Sequence, residues 1–133
     1  MSESDGVKAE IKQVAGLTLK TQIHRFFARI LMDTINFIKD KLKIAFYDKE
    51  YSVRKTVSSV MAMIIVRGGI NIWPDLLQFL VENLKSTDVS VVENSIHSIS
   101  IIVEDCSKLF EEENYYQLIQ YMLPPIFGLI NPL

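Results

Sequence analysis

Apolar residues recur at helical spacing in two matched sets. Val53, Val57, Val60 and Ile64 are separated by steps of four, three and four, and Val92, Ile96, Ile99 and Val103 repeat those steps 39 residues later. Steps of this kind place each set on one face of a helix, so both stripes are expected to be core. A helical pattern that returns after about forty residues is the signature of HEAT or armadillo-type arrays. The predicted fold is therefore all-α: a HEAT-repeat α-solenoid, a right-handed superhelix of antiparallel helix pairs.

Six helical segments are readable. The first covers about Val7 to Lys20, with Ile11, Val14, Ala15, Leu17 and Leu19 as its apolar positions. Gly16 weakens that helix by about 1 kcal/mol relative to alanine, which points to a close helix contact there. The second covers about Phe27 to Phe46, with Ile30, Leu31, Ile35, Ile38 and Leu42 on its stripe. Asp48-Lys49-Glu50 turns the chain into the third, Tyr51 to Arg67, which the glycine pair Gly68-Gly69 should end. Trp73-Pro74-Asp75 opens the fourth, about Pro74 to Lys85, because proline is tolerated in a first turn whose amides are unpaired. Ser86-Thr87-Asp88 caps the fifth, about Val89 to Leu109. After Glu111-Glu112-Glu113 a sixth is expected from about Tyr115 to Ile130, kinked at Pro124-Pro125.

Shorter A helices thus alternate with longer B helices. Residues 1–133 are expected to form one segment: the B helix of one repeat, two full repeats, and the A helix of the next. Both ends would cut through a repeat, the mark of a piece of a longer array. Apolar faces are expected at Ile11, Val14 and Leu17 on one side and at Met122, Ile126 and Ile130 on the other.

Composition narrows the chemistry. The chain is 49% hydrophobic, but no apolar run approaches the roughly 18 residues of a membrane span. Its polar first residues do not resemble a secretory signal, so a cytosolic or nuclear setting is expected and no membrane partner. Cys106 is the single cysteine, which excludes an internal disulfide and a thiolate metal cluster and is read as a small buried hydrophobe. His24 and His97 lack companions at ligand spacing. No glycine-rich phosphate loop or nucleophile–base arrangement is present, so no enzyme activity and no cofactor are expected.

Charge is divided by position. Residues 1–55 carry eleven Lys or Arg against seven Asp or Glu, and residues 56–133 carry three against nine. In a solenoid such a split gives one basic and one acidic end. A nucleic-acid surface would need basic residues along its whole length, so nucleic acid is not an expected partner.

Three stretches resemble the importin-β superfamily (karyopherin-β), closest to its transportin branch. Gln13-Val14-Ala15-Gly16-Leu17-Thr18-Leu19-Lys20 is similar to the A-G-L-x-L-K helix near the start of these receptors. Asn71-Ile72-Trp73-Pro74-Asp75-Leu76-Leu77 is similar to their W-P-D-L-L entry to an A helix. Val53-Arg54 opens one B helix and Glu104-Asp105-Cys106-Ser107 closes the next, as in that family. The resemblance implies a nuclear transport receptor, shuttling between cytoplasm and nucleus, with GTP-bound Ran, import cargo and nucleoporins as partners. It further implies that the B helices hold the GTPase on their concave face.

The stripe opposite the expected core supplies the candidate contacts: Arg54, Lys55, Ser58 and Ser59 on the third helix, and Glu93, Asn94, His97, Ser98, Ile101, Glu104 and Asp105 on the fifth. Trp73, beside Pro74, is expected to pack between repeats. A HEAT scaffold or adaptor without GTPase dependence remains the alternative reading.

Overall fold

The computed structural model describes residues 3–106, which form five α-helices and no strand: α1 (Glu3–Phe26), α2 (Met32–Ala45), α3 (Tyr51–Gly68), α4 (Leu76–Asn83) and α5 (Val89–Asp105), with short 3-10 turns at Phe27–Arg29 and Ile70–Ile72. This is the HEAT arrangement. The B helices α1, α3 and α5 stack in a row, and α2 and α4 lie along one side of it. Bonds from Lys12 to Asp48 and from Lys20 to Ser59 advance in the same direction along both chains, so α1 and α3 run parallel. Lys43 to Asp75 and Tyr47 to Asn83 show the same for α2 and α4.

The caps explain where the helices stop. Gly69 follows α3 with φ 87° and ψ 170°, a region that only glycine occupies without strain, and its amide closes the helix on the Ile65 carbonyl. Asp88 caps α5 by accepting from the Ser90 amide at 2.9 Å. The second segment differs from its expectation. Ile30 and Leu31 are extended, so α2 starts only at Met32 and α1 runs on to Phe26. Pro74 lies in the turn, two residues before α4 begins at Leu76. The sixth segment, with Pro124-Pro125, Met122, Ile126 and Ile130, and the glutamates 111–113 lie outside the described residues, as does the expected continuation of α5 to Leu109.

The core is centred on α3. Val53, Val57, Val60 and Ile64 are all buried, as their spacing predicts, together with Leu42, Phe46, Leu76 and Leu80. Trp73 is buried between repeats, with the Lys39 ammonium over its ring. Gly16 touches α3 directly: a Cβ there would sit 2.5 Å from the Thr56 methyl.

On α5 the expected stripe is only partly core. Ile99 is buried and Val92 half-buried, but Ile96 is 49% and Val103 41% exposed, while Asn94, Ser95, Ser98 and Ile102 face inward. The helices themselves show why. α3 begins at Tyr51 and α5 at Val89, a repeat of 38 residues and not 39, and one residue turns a helix by about 100°. On α1 the apolar face expected at Ile11, Val14 and Leu17 is exposed, together with Val7, while Ala9 and Ile23 are buried.

Candidate functional site

Ser58, Asn94 and Ser98 do not face a partner, contrary to their expected place on the polar stripe. All three are buried where α3 meets α5. The Ser58 and Ser98 hydroxyls lie 2.6 Å apart, Ser58 Oγ is 3.2 Å from Asn94 Oδ1, and Asn94 Nδ2 donates to the Phe46 carbonyl at 3.1 Å. Burying these polar groups is tolerable because each is satisfied by another. They form a hydrogen-bonded seam that joins consecutive repeats.

Arg54 is partly committed as well. Its Nη1 donates to the Asp48 and Lys49 carbonyls at 3.0 and 2.9 Å, and its guanidinium lies over the Tyr51 ring. That ties the α2–α3 turn to the first turn of α3. Ser59 accepts from Lys20 Nζ at 2.6 Å, linking α3 to α1.

What stays open is a small cleft of about 140 Å³ between the N-terminal halves of α3 and α5, lined by Tyr51, Arg54, Lys55, Ser90, Glu93, Asn94 and His97. Five of the candidate residues meet there. Lys55 and Glu93 are exposed, and His97 is half-buried with a buried Nε2 that has no protein partner. The cleft thus offers a cation and an anion, with the half-buried His97 ring in its lining, a mixed set that suits a protein surface better than a small anion. Glu104 and Asp105 are exposed at the far end of α5 and do not line the cleft. Tyr51 and Ser90 were missed by the sequence reading. Tyr51 was legible in principle, since it precedes Lys55 by one helical turn.

A second opening is larger and mostly apolar. A groove of about 660 Å³ runs between α1 and α2, floored by Val53, Val57 and Val60 of α3, with Phe37 and Ile44 exposed on one wall. Lys12 bridges to Asp48 across its end at 2.8 Å. Burial pushes the Asp48 carboxyl up, but bonds from Lys12 and the Glu50 amide outweigh it and hold the group below its ordinary value.

Cys106 is buried, and desolvation beside Asp105 pushes its thiol up to about 11. It therefore behaves as a packed hydrophobe and not a nucleophile. Among the described residues no helix is long and apolar enough to cross a membrane, and no His, Cys, Asp and Glu cluster could hold a metal ion.

No family model matches the chain. It is similar to the protein named transportin of Dictyostelium discoideum, 28% identical over 124 residues, which is 93% of this chain and 13% of that protein. It is likewise similar to transportin-1 of Homo sapiens, 26% identical over 113 residues, and to importin subunit beta-2 of Schizosaccharomyces pombe, 25% identical over 121 residues. These matches cover 85% and 89% of this chain, and 13% of each relative. The chain spans about an eighth of the length of these relatives, and its likeness is to the importin-β family.

Proposed function

We propose that this chain is a binding module of the nuclear transport receptor kind, shuttling between cytoplasm and nucleus, whose B helices take a Ran-like GTPase in its GTP-bound state. The observation that carries this reading is the convergence of Lys55, Glu93 and His97 on one cleft of the B-helix row, in a chain similar to transportins over most of its length. Ser58 and Ser98 shape that surface from behind, and Asn94, which lines the cleft, is held by its bond to the Phe46 carbonyl. Lys55, Glu93 and His97 supply the contacts, and Glu104 and Asp105 add acidic charge for a basic partner. Import cargo and nucleoporins belong to the same reading as partners of the whole receptor.

The test is binding of GTP-loaded against GDP-loaded Ran to the chain, with Lys55→Glu and Glu93→Lys as variants. Preference for the GTP form, weakened about tenfold or more by either reversal, roughly 1.4 kcal/mol, supports the proposal. Equal binding of both nucleotide forms, or none, sinks it in favour of a scaffold without GTPase dependence.

A further inference from the structure

We propose that the open side of α3 and α5 takes a single helix of the protein partner, gripped by two basic residues three turns apart against Glu93 and Glu104 and by an acidic residue against Lys55. This rests on reading that side as a protein-binding surface and adds what kind of segment binds there.

Helical phase puts the three charges on one side. Lys55 lies on α3 opposite the buried stripe of Val53, Val57, Val60 and Ile64, and Glu93 lies on α5 opposite the buried Ile102. Eleven residues make three turns with about 20° left over, so Glu104 faces the same way as Glu93, about 16 Å further along α5. All three are exposed, and among the described residues none of them enters an ion pair or hydrogen bond. A further repeat stacked on α5 would cover the side that bears Val92, Ile96 and Val103, about 60–100° round from Glu93, and would leave both carboxylates open.

The repeat supplies the second row. α3 begins at Tyr51 and α5 at Val89, so positions 38 apart are equivalent, and Lys55 and Glu93 are such a pair with opposite charge. Packed helices lie about 8–10 Å apart, which separates the two rows by about that much. A helix with its side chains is about 10–12 Å across, wide enough to touch both rows at once. Between the rows lie His97 and Ile101, both half-buried, and Ile101 packs on the core and offers a seat to an apolar side chain.

The carboxylate spacing selects a helix over a strand. A strand covers about 16 Å in five residues, an odd number, so its two basic side chains would point to opposite faces. On a helix, residues i and i+11 share a face. The acid for Lys55 belongs beside one of the bases in sequence, since a neighbouring residue lies about 100° round the helix at nearly the same height. Two anions on one row, with a cation level with just one of them, fix the direction of the bound helix as well as its place.

The probe is a set of fluorescent alanine-rich helical peptides, measured by anisotropy at low salt against the chain. Each matched peptide carries two arginines eleven positions apart, a leucine between them on the same face, and a glutamate either just before or just after the first arginine. These two isomers differ in the edge that the glutamate occupies. A control of the same composition has its second arginine moved by two residues, about 160° off the face. One isomer should bind at least tenfold tighter than the other and than the control. Glu93→Ala or Glu104→Ala should remove the advantage over the control, and Lys55→Ala should make the isomers equal; all three sites are exposed, and a thermal melt checks that the variants fold. Added salt should shrink every difference. Peptides that bind alike, or that do not bind, would overturn the proposal, because net attraction is the same for all of them. Ran loaded with GTP is measured in parallel. Binding of Ran without discrimination among the peptides sinks this proposal alone, and discrimination without binding of Ran sinks the GTPase reading alone.

Discussion

Replacing Gly16 by alanine sets two effects of known size against each other. Alanine favours the helix over glycine by about 1 kcal/mol. The added Cβ, however, would lie 2.5 Å from the Thr56 methyl, about 1 Å inside ordinary contact. Thr56 has little freedom to yield: it is buried, β-branched, and its Oγ1 donates to the Ser52 carbonyl at 2.9 Å. Relief must come from α1 moving off α3, and overpacking of this kind costs about 1–3 kcal/mol. The clash should win, leaving Gly16→Ala about 1 kcal/mol less stable than the parent in urea unfolding. Thr56→Ser removes the offending methyl, and alone it should cost about 1 kcal/mol through lost burial. Gly16→Ala with Thr56→Ser should then be more stable than the two single losses sum to, by about 1 kcal/mol or more, the coupling expected of touching residues. A Gly16→Ala chain more stable than the parent, with no coupling to Thr56→Ser, would refute the close approach.

Asn94→Ala should cost about 2 kcal/mol in the same assay, because the buried Phe46 carbonyl loses its Asn94 donor. Asp48 lies below its ordinary pKa in the folded chain, so its contribution is present above the unfolded carboxylate value near about pH 4 and is lost as pH falls through the lower folded value. Acid unfolding should therefore be shallower in Asp48→Asn, the remaining slope coming from Asp75, held down by Lys43, and Asp88, held down by Ser90. Cys106, with its thiol near 11, should react with a disulfide reagent at pH 8 only slowly until denaturant is added, and fast native labelling would contradict its burial.

The α3 stripe could be read directly from the sequence because α3 is central: neighbours cover most of its sides, and its apolar residues have nowhere to go but inward. The α5 stripe could not. Its contact with α3 is made by Asn94 and Ser98, which look like surface residues to any hydrophobicity pattern, while Ile96 and Val103 look like core. Satisfied hydroxyls and amides can be buried as securely as valines, but their partner, Ser58, is 40 residues from Ser98 and cannot be inferred from local spacing. The error then carried over to the candidate site, since Ser58, Asn94 and Ser98 were placed on the concave face by default. Lys55, Glu93 and His97 line the cleft between α3 and α5, the first two exposed and His97 half-buried. The break at Ile30-Leu31 was illegible for another reason: Ile23 to Met32 contains neither glycine nor proline to mark it.

The two joints of the B-helix row are built from different materials, and this decides where the molecule bends. α1 meets α3 through a glycine and a methyl, with lysine tethers at the edge, and dispersion contacts of that kind tolerate small rolling motions. α3 meets α5 through buried hydrogen bonds, which weaken steeply once they leave their preferred angles. A load that flexes the row should therefore be taken up between α1 and α3, while α3 and α5 travel together as one stiff plate. Any partner spanning all three helices would find curvature adjustable at the basic end and set in advance at the acidic one.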